Sequence, residues 1–215
     1  MPLILSTKVL PLIQKRHLFY ANLSLVEYNA VSIQELDFSL NADHVDHAIF
    51  TSQNAVNLAF EKHKLKCEQV FCVGEKTACL LEDYGMKPHR IAKNAYALAQ
   101  LILKDYPHLC FDFFCSAQRR NELPYLLSTH HIQFKEHHLY KSIPDVRIFK
   151  NDFDAVLCFS PLGVKAYYAH HDKQPLAICI GDTTAEAAKE YTAKVLVANK
   201  TSLESVVYKS IMALK

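Results

Sequence analysis

With 215 residues, half of them hydrophobic and 21% charged, the chain has apolar material for one large core or two of about 100 residues each, which excludes a disordered polymer. A formal net charge of +2 is too balanced to point to nucleic acid, and no apolar run approaches the roughly 20 residues that cross a bilayer. The seven cysteines include no Cys-x-x-Cys spacing, which favours reduced thiols in the cytoplasm over a disulfide framework or a zinc site.

The start, Met1 to Lys8, is apolar for too short a stretch, and without a basic leader, to act as a signal peptide; it reads as a first β-strand. From there short apolar runs recur, each followed by a polar turn and a helix-like stretch. Ala48 to Ser52 reads as a buried strand and Asn54 to His63 as a helix. Val70 to Gly74 is the next strand, and Lys76 to Tyr84 the next helix, with Gly85 placed to end it. A short strand near Ile91, a helix from Tyr96 to Tyr106, a strand from Cys110 to Cys115 and a helix from Asn121 to Ser128 follow. Such alternation predicts parallel sheets covered by helices on both faces.

The pattern then repeats. Asp154 to Ser160 matches His47 to Ser52 in type, and Ala177 to Ala185 matches Val70 to Ala78. Ser52 and Ser160 stand 108 positions apart, and Gly74 and Gly181 stand 107 apart, as do Thr77 and Thr184. A near-constant offset of this length indicates a duplicated domain and not a solenoid, whose repeats are about 20–50 residues long. Two segments break the rhythm: Leu23 to Phe38 and Ile132 to Val146 are long and strand-like. They are expected to pair as a two-stranded β-ladder over residues 23–38 and 132–146. The ladder would join lobe 1, from residues 1–30 and 146–215, to lobe 2, from residues 36–132.

Ligands of open α/β sheets sit at the carboxyl ends of the strands, where Ser6, Ser52, Gly74, Ser116, Ser160 and Gly181 fall. Glycine eases the turn, and a threonine near the next helix start adds a hydroxyl beside free N–H groups and the positive dipole end. Taken singly, these serines and threonines read as helix caps; their recurrence at both corners points to a ligand. No Gly-x-Gly-x-x-Gly or P-loop sequence occurs, so a nucleotide cofactor is not supported. Tyr140, in the second strand-like segment, reads first as a packing residue whose hydroxyl is satisfied and second as a general acid or donor. The pairs His130-His131, His137-His138 and His170-His171 do not read as metal ligands, because neighbours on a strand face opposite ways. Arg119-Arg120, near Glu122, reads as a solvated helix face.

Five segments in order carry a family resemblance: Ile49 to Val56, Val73 to Ala78, Leu139 to Ser142, Cys158 to Val164 and Ile180 to Ala185. Together with the closing Asn199 to Val206, they resemble the uroporphyrinogen-III synthase family over essentially the whole chain. The resemblance implies two flavodoxin-like lobes with parallel sheets joined by a two-stranded β-ladder. It implies an enzyme of haem biosynthesis, a cytoplasmic monomer without cofactor or metal. Its substrate would be hydroxymethylbilane, a carboxylate-rich linear tetrapyrrole received from hydroxymethylbilane synthase. It would close this chain to uroporphyrinogen III, with inversion of the terminal ring and loss of water. Tyr140 matches the tyrosine thought to assist departure of the hydroxyl group, and Ser52, Thr77, Ser160 and Thr184 match positions near the substrate. Thr7 and Ser116 join them as binding candidates at their strand ends. Lys8 stands where members often have Arg, and Ser116-Ala117 where many have glycine. An inactive two-lobed protein that binds a small anion is the alternative.

Overall fold

The computed structural model describes residues 1–38, 44–171 and 173–215. In chain order its elements begin with β1 (Leu3–Ser6), α1 (Leu12–Tyr20), β2 (Ser24–Glu27), β3 (Val31–Glu35), β4 (His44–Phe50) and α2 (Gln53–Asn57), which continues as a π-helical turn over Leu58–Lys62. Then come β5 (Lys66–Val73), α3 (Glu75–Asp83), β6 (Arg90–Ala92), α4 (Ala95–Asp105), β7 (Phe111–Ser116), α5 (Glu122–Thr129) and β8 (Phe134–Pro144). The chain ends with β9 (Ala155–Cys158), α6 (Pro161–Tyr168), β10 (Leu176–Cys179), α7 (Asp182–Lys189), β11 (Val195–Val197) and α8 (Leu203–Leu214). None of the described helices is long and apolar enough to cross a membrane.

The fold is mixed α/β with parallel sheets, and the chain divides into two compact units, Met1–Ser32 with Ile143–Lys215, and Ile33–Ser142. The chain passes from one to the other twice, within β3 and within β8. Residues 39–43 of the expected second lobe and Asp172 of the first lie outside the described residues.

The first unit holds a sheet of order β11-β10-β9-β1-β2, in which every pairing is parallel. Its strands are apolar on both faces because both are covered. Leu5, Val156, Cys158, Ala177 and Cys179 pack with Val164, Tyr167, Ala185 and Ala188 of α6 and α7. Their neighbours Ile4, Ala155, Leu157 and Ile178 pack the other way, with Leu18 of α1 and Val206 and Val207 of α8.

The second unit holds the sheet β3-β8-β7-β4-β5-β6, with β8, β7, β4, β5 and β6 parallel in turn. Phe50, Val70, Cys72 and Phe114 pack under α2 and α3, while Ile49, Phe71, Phe113 and Cys115 pack under α4 and α5. Each fully buried phenylalanine among these stabilises the unit by roughly 1.5–3 kcal/mol relative to exposure. Gly85 ends α3 as expected from its place: at φ +78° it lets its own N–H reach Glu82 O (2.8 Å) and the Met86 N–H reach Leu81 O (2.9 Å).

Two expectations change in detail. Leu23 to Phe38 is not one long strand. Its first part, β2, lies parallel to β1 in the five-stranded sheet, and only β3 pairs with β8. The break at Tyr28–Ala30 is held by the N–H groups of Tyr28 and Ala30, which donate to the carbonyls of Ser6 (3.1 Å) and Thr7 (3.0 Å). The Tyr28 ring is buried there. The helix expected over Asn54 to His63 widens in its second half, where the His63 N–H reaches back five residues to Leu58 O (3.3 Å).

Candidate functional site

Ser52 follows β4 and caps α2: its Oγ accepts the Ala55 N–H at 3.1 Å, one of the free donors every helix start must satisfy. The same Oγ lies 2.9 Å from the Tyr140 hydroxyl of β8. Tyr140 is only 6% exposed, with its ring in the core under α2 and α3 and its hydroxyl at the serine.

A bulge puts the tyrosine there. Phe113 to Cys115 pair in step with Glu136 to His138, but Ser116 pairs with Tyr140, leaving Leu139 as an extra residue on β8. In an unbroken strand Tyr140 would share a face with Glu136 and His138. The extra residue turns it over, so that Leu139 and Tyr140 both join the cluster under α2 and α3.

The two hydroxyls line a cavity of about 490 Å³ within the second unit. Around it stand Ser116, Gln118, Lys93 and Arg120, with Asn94 and Ala95 at the start of α4. Ser116 Oγ accepts the Gln118 N–H (3.1 Å), and Gln118 Oε1 accepts the Ser142 N–H (2.7 Å). This ties the loop after β7 to the end of β8. Lys93 and Arg120 are exposed and, among the described residues, form no ion pair. They are the cations the cavity can offer to a carboxylate. Arg119 is spent elsewhere: its Nε (3.0 Å) and Nη2 (2.6 Å) both donate to Glu136, whose Oε2 also lies 2.9 Å from His138 Nε2. Burial pushes the Glu136 carboxyl up, but the hydrogen bonds and charges of Arg119 and His138 outweigh it and hold it below the usual range. The expected solvated helix face therefore changes in two ways: Arg119 is engaged by Glu136 while Arg120 is exposed, and neither lies on a helix. Both residues precede α5, and the carboxylate that fixes Arg119 comes from a neighbouring strand.

The remaining candidates fall outside this cavity. Thr77 is buried in the first turn of α3. Thr7, Ser160 and Thr184 belong to the first unit. Ser160 caps α6 by accepting the Gly163 N–H (3.0 Å), and Thr184 is buried in the first turn of α7. The Thr7 hydroxyl is committed to the Leu157 carbonyl (2.8 Å) across the β1–β9 pair. The two glycine corners also differ: Gly74 sits at φ +84°, where only glycine is at ease, whereas Gly181, at φ −173°, is ordinary extended backbone. His137 and His138 face opposite ways, His137 stacking on Phe114 and meeting Asp112 Oδ1 (2.6 Å), His138 turning to Glu136.

A family model described as uroporphyrinogen-III synthase HemD matches residues 16–208. The chain belongs to that family. It is thus an enzyme of tetrapyrrole (haem) biosynthesis, a lyase-type cyclase. Its fold is like that of uroporphyrinogen-III synthetase from Helicobacter pylori, at 20% identity over the whole of both chains with a TM-score of 0.72. A mutant uroporphyrinogen III synthase from the extreme thermophile Thermus thermophilus gives 14% identity and a TM-score of 0.59, again over both whole chains. No curated protein matches the sequence.

Ser52, Ser116 and Tyr140 are each legible in the sequence, but the contact between Ser52 and Tyr140 is not. Nor are Lys93, Arg120 and Gln118 legible as cavity groups. Only their positions just after strand ends could have flagged them.

Proposed function

We propose that this chain closes hydroxymethylbilane to uroporphyrinogen III, with inversion of the terminal ring and loss of water, and that Tyr140 is its proton donor. The observation that carries this reading is the 2.9 Å contact between the Tyr140 hydroxyl and Ser52 Oγ at the cavity. Ser52 Oγ already accepts the Ala55 N–H, so its own proton is free to point at the tyrosine oxygen. The phenol proton is then turned toward the substrate. It leaves with the substrate hydroxyl as water, and the Ser52 O–H steadies the phenolate left behind. The azafulvene formed is an electron-poor carbon. Attack by the substituted position of the terminal ring gives a spiro intermediate that rearranges to the type III product, whereas direct closure gives type I. Selecting the first path is a matter of holding a flexible chain, where orientation counts for more than a strong nucleophile.

The carboxylates of that chain suit the unpaired Lys93 and Arg120, with Ser116 and the start of α4 beside them. Thr77, Ser160 and Thr184, each at a helix start, are proposed as further contacts. Thr7, whose hydroxyl is committed, is proposed to act by shaping the strand end. In the finer fold description the two units are flavodoxin-like lobes and the β3–β8 pair is the ladder. The chain works as a cytoplasmic monomer, without cofactor, on a substrate handed over by hydroxymethylbilane synthase.

The test generates hydroxymethylbilane with its upstream deaminase, adds this protein, oxidises the products and separates the uroporphyrin isomers. Predominantly type III is expected. Type I alone, from folded protein and at the level of the enzyme-free control, overturns the synthase reading in favour of the small-anion-binding one.

A further inference from the structure

The face of the second sheet turned away from Tyr140 carries its own cluster. Glu136 and His138 are two apart on β8 and so share a face, and Cys115 of β7 is the direct register partner of His138. The Cys115 sulfur, a Glu136 carboxylate oxygen and a His138 ring nitrogen all lie within 4.8 Å of one another. We propose that Cys115, Glu136 and His138 form a binding site for a divalent metal ion of the zinc class, with its fourth position open to solvent.

The donor set favours that class. Thiolate, imidazole and carboxylate are the ligands zinc takes, and three protein ligands with one open position is an established zinc arrangement. Magnesium or calcium would look for oxygen alone. Cys115 is 1% exposed and forms the floor, while the His138 side chain is 45% exposed and gives a way in. Zinc would take these donors at about 2.0–2.3 Å, and strand register already brings the three side chains together.

Arg119 donates twice to Glu136, and His138 turns its Nε2 to the same carboxylate. Metal and guanidinium therefore compete for one carboxylate. A merely structural ion pair lacks the resulting signature: removing Arg119 strengthens metal binding, although it removes an ion pair within the chain. The site uses neither Tyr140 nor Ser52, and its test reads metal ligation and not turnover, so it stands or falls apart from the ring-closing reading.

The experiment titrates cobalt(II) alone into the chelator-treated 215-residue protein and follows the thiolate-to-cobalt charge-transfer band. The expected result is a saturable band at one ion per chain that is lost in Cys115→Ser. The same band persists in Cys79→Ser and Cys110→Ser, which change exposed thiols. In His138→Ala, whose half-exposed side chain makes the variant safe for folding, affinity falls about 10-fold or more. In Arg119→Ala affinity rises. A folded wild-type protein without a thiolate band, a band that survives His138→Ala at full affinity, or weaker binding in Arg119→Ala overturns the proposal.

Discussion

Ser52 and Ser160 open their helices in the same way. Each sits just past the end of a parallel strand, and each accepts the N–H three residues on, at 3.1 and 3.0 Å. The surroundings then diverge. Ser160 has its own unit's groups beside it: a Cβ built on Gly163 would meet its Oγ at 3.3 Å and Thr7 Oγ1 at 3.1 Å. Ser52 meets the hydroxyl of Tyr140, brought from another strand by a bulge, at the wall of a cavity. The local code of a helix cap is therefore common to both corners. What separates a cap from a candidate catalytic group is one long-range partner.

The largest effect expected is at that partner. Tyr140→Phe keeps the ring and its packing and removes only the hydroxyl, so the unfolding midpoint should stay near wild type while type III formation falls about 100-fold or more. Unchanged turnover would remove the tyrosine from the chemistry and make the two corners equivalent.

Next come the glycines of the second pair of corners. Gly74→Ala forces a side chain into φ +84° and should cost about 1–3 kcal/mol in denaturant unfolding. Gly181→Ala meets only the Thr201 methyl, at 3.3 Å, and should cost less than about 1 kcal/mol. Equal costs would mean that the two corners are under the same backbone constraint.

The serines should split differently. Ser52→Ala and Ser160→Ala each lose a cap, at about 1 kcal/mol, but Ser52→Ala lowers kcat whereas Ser160→Ala acts on KM. The reverse pattern would transfer the chemistry to the first unit.

The smallest effect lies with Glu136. Its carboxyl is held below the usual range in the folded protein, so its contribution is fully present above the ordinary glutamate value of about 4.3 and fades as pH falls through the lowered folded value. Acid unfolding of wild type and Glu136→Gln should therefore differ most near neutral pH and converge at strongly acidic pH. Curves that stay parallel throughout would contradict the assigned shift.

These contrasts also mark how much could be read from the chain. Ala155–Cys158 and Ala48–Phe50 announce themselves because strands covered on both faces are continuously apolar. Ser52 and Ser160 are legible because a cap is written within four residues. The division of residues 23–38 into β2 and β3 was hidden, since the hydrogen bonds that hold the break come from β1. Period-two alternation puts Tyr140 on the wrong face, because nothing local announces Leu139 as an extra residue. The pairing of Arg119 with Glu136 and the convergence of Cys115 with His138 depend on strand register, which spacing along the chain does not encode.

The central claim, that Ser52 and Tyr140 act as one unit, is tested most directly by a double-mutant cycle on type III formation. The account predicts that Ser52→Ala combined with Tyr140→Phe turns over no more slowly than Tyr140→Phe alone, because the serine works through the tyrosine hydroxyl. If the two losses multiply, the residues act independently and the account is contradicted.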